Sequence, residues 1–271
     1  MPRTPARRKR PEGVAGGGVT GFPVGVSRPP LQPLLALVPD GEGIFRSREN
    51  RFAAVVDVVA PEPAAGERVH VHDPGRLEDL LVPGRRVLLR RGRRPGRRTR
   101  WDVVAAASGG EWILVHAGWH RPLAEALFAR PELCPLGPVS SVRAEVPLGR
   151  GRLDFRLDRP SGGPVWVEVK GCTLARDGVA LFPDAPTARG ARHLEALSGL
   201  RAAGEAAALL VFVFRPEARA FAPNAALDPR FAAAFDRARA AGVQVHPLHF
   251  RYTGREIFCL GPLPVTPPPG A

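Results

Sequence analysis

The sequence predicts an α/β chain, α+β overall, in which a small barrel of short strands precedes a mixed sheet with flanking helices. Three observations predict it. Between about residues 42 and 107, five short runs rich in apolar and β-branched residues alternate with turn residues, the spacing of a small barrel. Residues 151–170 hold two more such runs around Pro160-Ser161-Gly162-Gly163-Pro164, a hairpin pattern. Beyond residue 186, helical and strand periodicities alternate, as in a sheet with helices on its faces. The expected divisions are a disordered basic tail over 1–29, the barrel over 30–110, the mixed-sheet domain over 111–261 and a Pro-rich tail over 262–271.

Composition bounds the partners. With 271 residues and 44% hydrophobic content the chain has ample material for a core. A net charge of +13 points to a polyanion. A GC-rich coding bias would exchange Lys for Arg, but it would not make basic residues outnumber acidic ones. Cys134, Cys172 and Cys259 are odd in number and scattered, so they build neither a disulfide framework nor a zinc site. No apolar run reaches membrane-spanning length, and no amphipathic helix has a strongly basic face. A cytoplasmic protein with a nucleic-acid partner and no membrane partner is expected.

The barrel strands are expected at 43–48, 51–59, 67–72, 86–91 and 100–106, for which an OB-fold is the natural fit. Two of its loops stand out. In His70-Val71-His72-Asp73-Pro74-Gly75-Arg76-Leu77 the histidines and aspartate have ligand chemistry. With no further ligand cluster in the sequence nearby, a tight turn with a phosphate-facing edge at Arg76 is expected instead. The other loop, residues 90–100, has arginine at seven of its 11 positions: Arg90, Arg91, Arg93, Arg94, Arg97, Arg98 and Arg100. Arginines on a flexible loop neutralise phosphates without reading bases, so binding to the nucleic-acid backbone, DNA above all, without sequence preference is expected.

A strand over 111–116 and a helix over 121–130 follow, the helix opened by Pro122 with Leu123, Ala126 and Leu127 as its apolar stripe. A strand over 140–146 precedes the hairpin. In the hairpin, Asp154 lies in the first arm, and Glu168 and Lys170 lie two apart in the second, where a pleated strand points both to one face. Val165, Val167 and Val169 take the opposite face. An Asp followed at short range by Glu-x-Lys on a strand is the signature of PD-(D/E)xK nuclease cores. The chemistry explains the residue types: Asp154, Glu168 and the Val169 carbonyl offer hard oxygen ligands to Mg²⁺ or Mn²⁺. Lys170 is placed to serve the attacking water. The chain has only two lysines, Lys9 and Lys170, against 37 arginines. In so arginine-biased a chain, Lys170 reads as a chemical choice, because Arg cannot imitate a compact, deprotonatable ammonium. Glu125 and Glu145 are weaker candidates for an additional acidic residue.

After the hairpin, Asp184 is expected to cap a helix with Pro186 in its first turn and Leu194, Leu197 and Leu200 on its buried side. Arg189 and His193, four apart, share a face suited to phosphate. A buried strand over 207–214, a helix over 229–241 and a strand over 242–246 complete the pattern.

Taken together, these residues resemble the bacterial and archaeal sugar fermentation stimulation protein family. The carrying pieces are the 70–77 loop, Arg152-Leu153-Asp154-Phe155, Val167-Glu168-Val169-Lys170, and Phe182-Pro183-Asp184-Ala185-Pro186-Thr187 running into Arg189-Gly190 and His193-Leu194, with Leu263-Pro264-Val265-Thr266 as the ending. The similarity covers roughly residues 30 to 266. It implies an OB domain followed by a PD-(D/E)xK nuclease-like domain, with non-specific DNA binding. Many relatives carry Asn-Thr-Gly where this chain has Asp73-Pro74-Gly75, and the arginine loop is unusual. Two readings stay open: a metal-dependent nuclease, or a catalytically silent DNA-binding regulator of sugar (maltose) metabolism genes, the role from which the family takes its name. DNA against RNA, strandedness and oligomeric state are also open.

Overall fold

The computed structural model describes residues 31–149 and 151–267; the basic tail expected over 1–29 lies outside them. The first part holds β1 (Leu35–Ala36), β2 (Gly41–Asn50), β3 (Ala53–Ala60), β4 (Ala64–Val71), β5 (Arg86–Arg91), β6 (Trp101–Ser108) and β7 (Glu111–Leu114). A 3₁₀ turn, Ala117–Trp119, leads into α1 (His120–Phe128), β8 (Ser141–Leu148), β9 (Gly151–Asp158), β10 (Val165–Cys172), β11 (Leu174–Arg176) and β12 (Val179–Phe182). Then come α2 (Ala188–Ala202), β13 (Ala206–Val213), β14 (Ala220–Pro223), α3 (Pro229–Ala240), β15 (Gln244–Tyr252) and β16 (Glu256–Pro262).

The expected architecture is present. The ribbon β4-β3-β2-β5-β6 is antiparallel throughout and closes through a parallel pairing of β4 with β6, Val69 opposite Trp101 and Val71 opposite Val103. That is OB connectivity, and closure removes the exposed edges of a five-stranded sheet. Val56, Val69 and Val71 alternate with more exposed neighbours, and with Val87, Leu89 and Val103 they are buried in the interior.

In the second part β10, β13 and β15 run parallel, flanked by antiparallel β9 and β8. Parallel neighbours need crossovers, and α2 and α3 supply them. The run Ala207–Val213 is buried throughout because both faces of β13 are covered. Val165, Val167, Val169, Leu210 and Phe212 pack into the core that also holds the barrel interior. Leu209, Val211 and Val213 face Leu194, Leu197, Phe231 and Phe235 of α2 and α3. β7 pairs with β6 and, at Trp112 opposite Tyr252, with β15, so one sheet runs through both parts. The Tyr252 hydroxyl donates to the Leu37 carbonyl at 2.7 Å and ties the start of the described chain to this junction.

Several expectations need correction. Asp184 does not cap α2; Thr187 does, its Oγ1 accepting the Gly190 N–H at 3.0 Å. Pro186 disfavours a helical residue before it, so the helix starts later than the first cap-like residue indicates. Asp228 caps α3 through the Phe231 N–H at 2.9 Å, and its other oxygen accepts the Thr187 N–H at 2.8 Å, joining both helix starts. The strand expected over 242–246 extends to Tyr252, and β11, β12, β14 and β16 form where the sequence pattern marks no strand. The Pro-rich end does not begin as a free tail at 262: Phe221 donates to Pro264 and accepts from Thr266, each at 2.9 Å. No described helix is long and apolar enough to cross a membrane.

Candidate functional site

The hairpin arms part where the acidic residues meet. β9 and β10 pair at Leu157–Val165, Arg156–Trp166 and Phe155–Val167, and the ladder stops there. One residue further, the Asp154 carboxylate replaces the ladder and accepts the Val169 N–H at 2.8 Å. In a strand the N–H and C=O of one residue point to the same edge, so the Val169 carbonyl also faces the gap. Glu168 is 1% exposed, on the face away from the valines. Its Oε1 receives both the Lys170 ammonium and Nδ1 of His193, which α2 brings over the strand. Its Oε2 is buried without a hydrogen-bond partner.

The hydrogen bonds fix the histidine's tautomer. Arg189 Nε donates to His193 Nε2 at 3.2 Å, so that nitrogen is the acceptor and Nδ1 carries the proton given to Glu168. The two carboxylates titrate in opposite senses. Burial raises the Glu168 pKa, but the His193 hydrogen bond and the Lys170 charge outweigh it and the net shift is downward. Asp154 is pushed up by burial and by the Glu168 charge. Asp154, Glu168, Val169, Lys170, Arg189 and His193 are thus one cluster.

The weaker acidic candidates lie apart from it. Glu125 pairs with Arg121 at 2.8 Å and exposed Glu145 with Arg152 at 2.8 Å. Arg76 is exposed, 3.7 Å from Glu78. The arginine loop divides into two groups. Arg91 and Arg100 reach Glu62 and lie over Trp101, Arg90 lies over Trp119, and Arg97 grips both oxygens of Asp102. Arg93, Arg94 and Arg98 are exposed, with no ion-pair or hydrogen-bond partner among the described residues.

The fold also gathers residues the sequence did not connect. A cavity of about 430 Å³ between the 73–75 loop and the hairpin is lined by Arg51, His120, Lys170, Asp184 and Arg189. Burial and the Lys170 charge push His120 down to about 4, so a neutral imidazole stands beside the lysine. The further ligand residues lacking near His72 in sequence are supplied in space. Ligand atoms of His72, Asp102 and His116 lie within 4.8 Å of one another, and the two imidazoles stack at 3.9 Å. Arg97 already neutralises Asp102. Burial favours the protonated acid, but His72, 3.6 Å away, and the Arg97 hydrogen bonds prevail and lower it to about 2. The only sequence signal for His116 and His120 is their spacing across Gly118.

Asp73 and Asp184 face each other across the same cavity, Asp73 accepting the Gly75 N–H at 2.8 Å and Asp184 the Leu77 N–H at 3.2 Å. Burial, with the Asp184 charge adding to it, pushes Asp73 up to about 6. A carboxyl raised in the folded state stabilises it most below the unfolded pKa, and that stability is lost as pH rises through the folded value. Asp73→Asn keeps the acceptor for Gly75 and removes the charge. It is expected to stabilise the protein on the order of 2 kcal/mol at about pH 8 and hardly at all at about pH 4. Denaturant melts at the two pH values measure this, and equal stability of mutant and parent at pH 8 would refute it.

The comparisons with known proteins agree with this architecture. Residues 47–115 match the family described as SfsA N-terminal OB domain, and residues 119–256 match the sugar fermentation stimulation protein RE domain. The chain is 45% identical over 228 residues to a sugar fermentation stimulation protein homolog of Methanococcoides burtonii, covering 83% of this chain and 92% of that one. It is 40% identical over 226 residues to the homolog of Thermotoga neapolitana, covering 83% and 95%. The solved structure of SfsA from Pyrococcus furiosus in complex with Ca²⁺ superposes with a TM-score of 0.78 at 26% identity, covering 87% of this chain and 99% of that one. The chain belongs to the sugar fermentation stimulation protein family.

Proposed function

We propose that the protein is a metal-dependent nuclease that grips nucleic acid, DNA above all, without sequence preference. The observation that carries this reading is the convergence of Lys170 and His193 on Glu168 beside Asp154. The donor set fits a hard divalent cation: the buried Glu168 Oε2 has no hydrogen-bond partner among the described residues, and Asp154 and the Val169 carbonyl face the same gap. Asp154, Glu168 and Val169 would hold Mg²⁺ or Mn²⁺, which when bound offsets charge on the phosphoryl oxygens. Lys170 orients the attacking water and balances charge building on the phosphate. Arg189, at the start of α2, offers its guanidinium to the phosphate, and His193, whose Nδ1 proton goes to Glu168, positions that carboxylate. Arg93, Arg94 and Arg98 supply free cations on the barrel for backbone contacts.

The test is incubation of purified protein with plasmid, single-stranded DNA and RNA, with Mg²⁺ or Mn²⁺ and with chelator. Cleavage with metal and none with chelator is expected. A second reading, a DNA-binding regulator without turnover, is favoured by the charge of +13 and the arginine loop, neither of which requires catalysis. Salt-sensitive binding without cleavage in any metal would select it.

A further inference from the structure

The turn between β2 and β3 carries a feature that phosphate binding leaves unexplained. Phe52 is 47% exposed and is the only exposed large aromatic among the described residues. One exposed apolar side chain needs no explanation by itself. This one stacks on the His70 ring of β4, centroids 6.3 Å apart and planes 24° from parallel. Both line an open groove of about 420 Å³ whose far wall is Arg94, Arg97 and Arg98 of the arginine loop. In barrel order, Phe52 lies between the first and second strands, His70 on the third, and the arginines between the fourth and fifth. Those two loops and that face are where OB barrels take oligonucleotides.

A double helix hides the faces of its bases and offers phosphates. An unpaired strand offers both, and aromatic rings flanked by cations are the surface that suits it. Arg51, the neighbour of Phe52 in the same turn, lines the cavity that contains Lys170, while Phe52 lines the groove. The turn therefore borders both.

We infer that the barrel groove is a binding site for an unpaired nucleic-acid strand, with a base stacked on Phe52 and His70, phosphates on Arg94 and Arg98, and the chain leading over Arg51 towards Lys170. This rests on the nucleic-acid reading proposed above and assigns the strandedness of what is bound.

The test is fluorescence anisotropy at one fixed salt concentration, with labelled oligo-dT, oligo-rU and a DNA duplex of equal length. Parent, Phe52→Ala and Phe52→Trp proteins are compared. The parent is expected to prefer an unpaired strand to the duplex. Phe52→Ala should weaken single-strand binding roughly 10- to 100-fold, leaving duplex affinity and the salt dependence of binding unchanged. Phe52→Trp should keep parental affinity, because a larger ring preserves the stack. The dT and rU arms tell DNA from RNA as the source of the strand. Equal losses on duplex and single strand, or no loss at all, would overturn the stacking site and leave nucleic-acid binding intact. Failure of the parent to bind any of the three would overturn both.

Discussion

Replacing Lys170 by alanine is expected to slow metal-dependent cleavage by roughly 10²- to 10⁴-fold while nucleic-acid affinity stays near the parental value. Lys170 is partly buried, and its ammonium contacts Glu168 beside the His193 Nδ1, 3.3 Å away. Charge alone is not its contribution, since Arg189 stands on the adjacent helix turn. Lys170→Arg should therefore fail to restore the rate: a guanidinium is broader, planar and does not deprotonate. The alanine variant leaves Glu168 its His193 partner, so folding should survive, and circular dichroism checks that. Single-turnover cleavage of the substrate class found active, beside anisotropy for binding, gives the answer. A Lys170→Ala protein that cleaves at the parental rate would remove the lysine from the mechanism.

The second large effect is expected at Gly171, next to that lysine. A Cβ at Gly171 would lie well inside van der Waals contact distance of His120 Cε1 and Nε2. His120 has little freedom to retreat, because it stacks on Phe214 at 5.7 Å and meets the Phe212 ring edge-on at 6.4 Å. Gly171→Ala must therefore shift the end of β10, and Lys170 with it. A loss of about 1–3 kcal/mol of stability is expected, together with reduced cleavage. Adding His120→Ala opens the space, so the double variant should be more stable than the two separate losses predict. Denaturant unfolding of parent, both single variants and the double variant tests this. Strictly additive losses would mean that the imidazole and the strand do not compete for room.

The parts legible in the sequence are those written in local period. Alternation along 51–59 and 67–72 lies close to β3 and β4, and the two-residue spacing of Glu168 and Lys170 puts both on the His193 side of β10. What escaped depends on contacts between distant segments. Asp184 reads locally as a helix cap, yet its carboxylate serves Leu77, 107 residues away. The spacing of His116 to His120 says nothing of His72 or Asp102, neighbours that His116 acquires only when β4, β6 and the end of β7 come together. Glu125 lies on the helix that its apolar neighbours predict, but an arginine four residues before it in the chain takes its carboxylate. Strands of three or four residues, such as β11 and β14, are too short for periodicity to mark.

The two family matches meet between residues 115 and 119, which invites cutting the chain there into two modules. The interior ignores that border. Val71, Leu89 and Val103 of the barrel share one hydrophobic cluster with Val167, Phe212 and Phe250 of the second part. Either half expressed alone would present a raw apolar surface to water in place of its partner. Exchange of this barrel between relatives would therefore have to bring along a matching apolar surface on the second part.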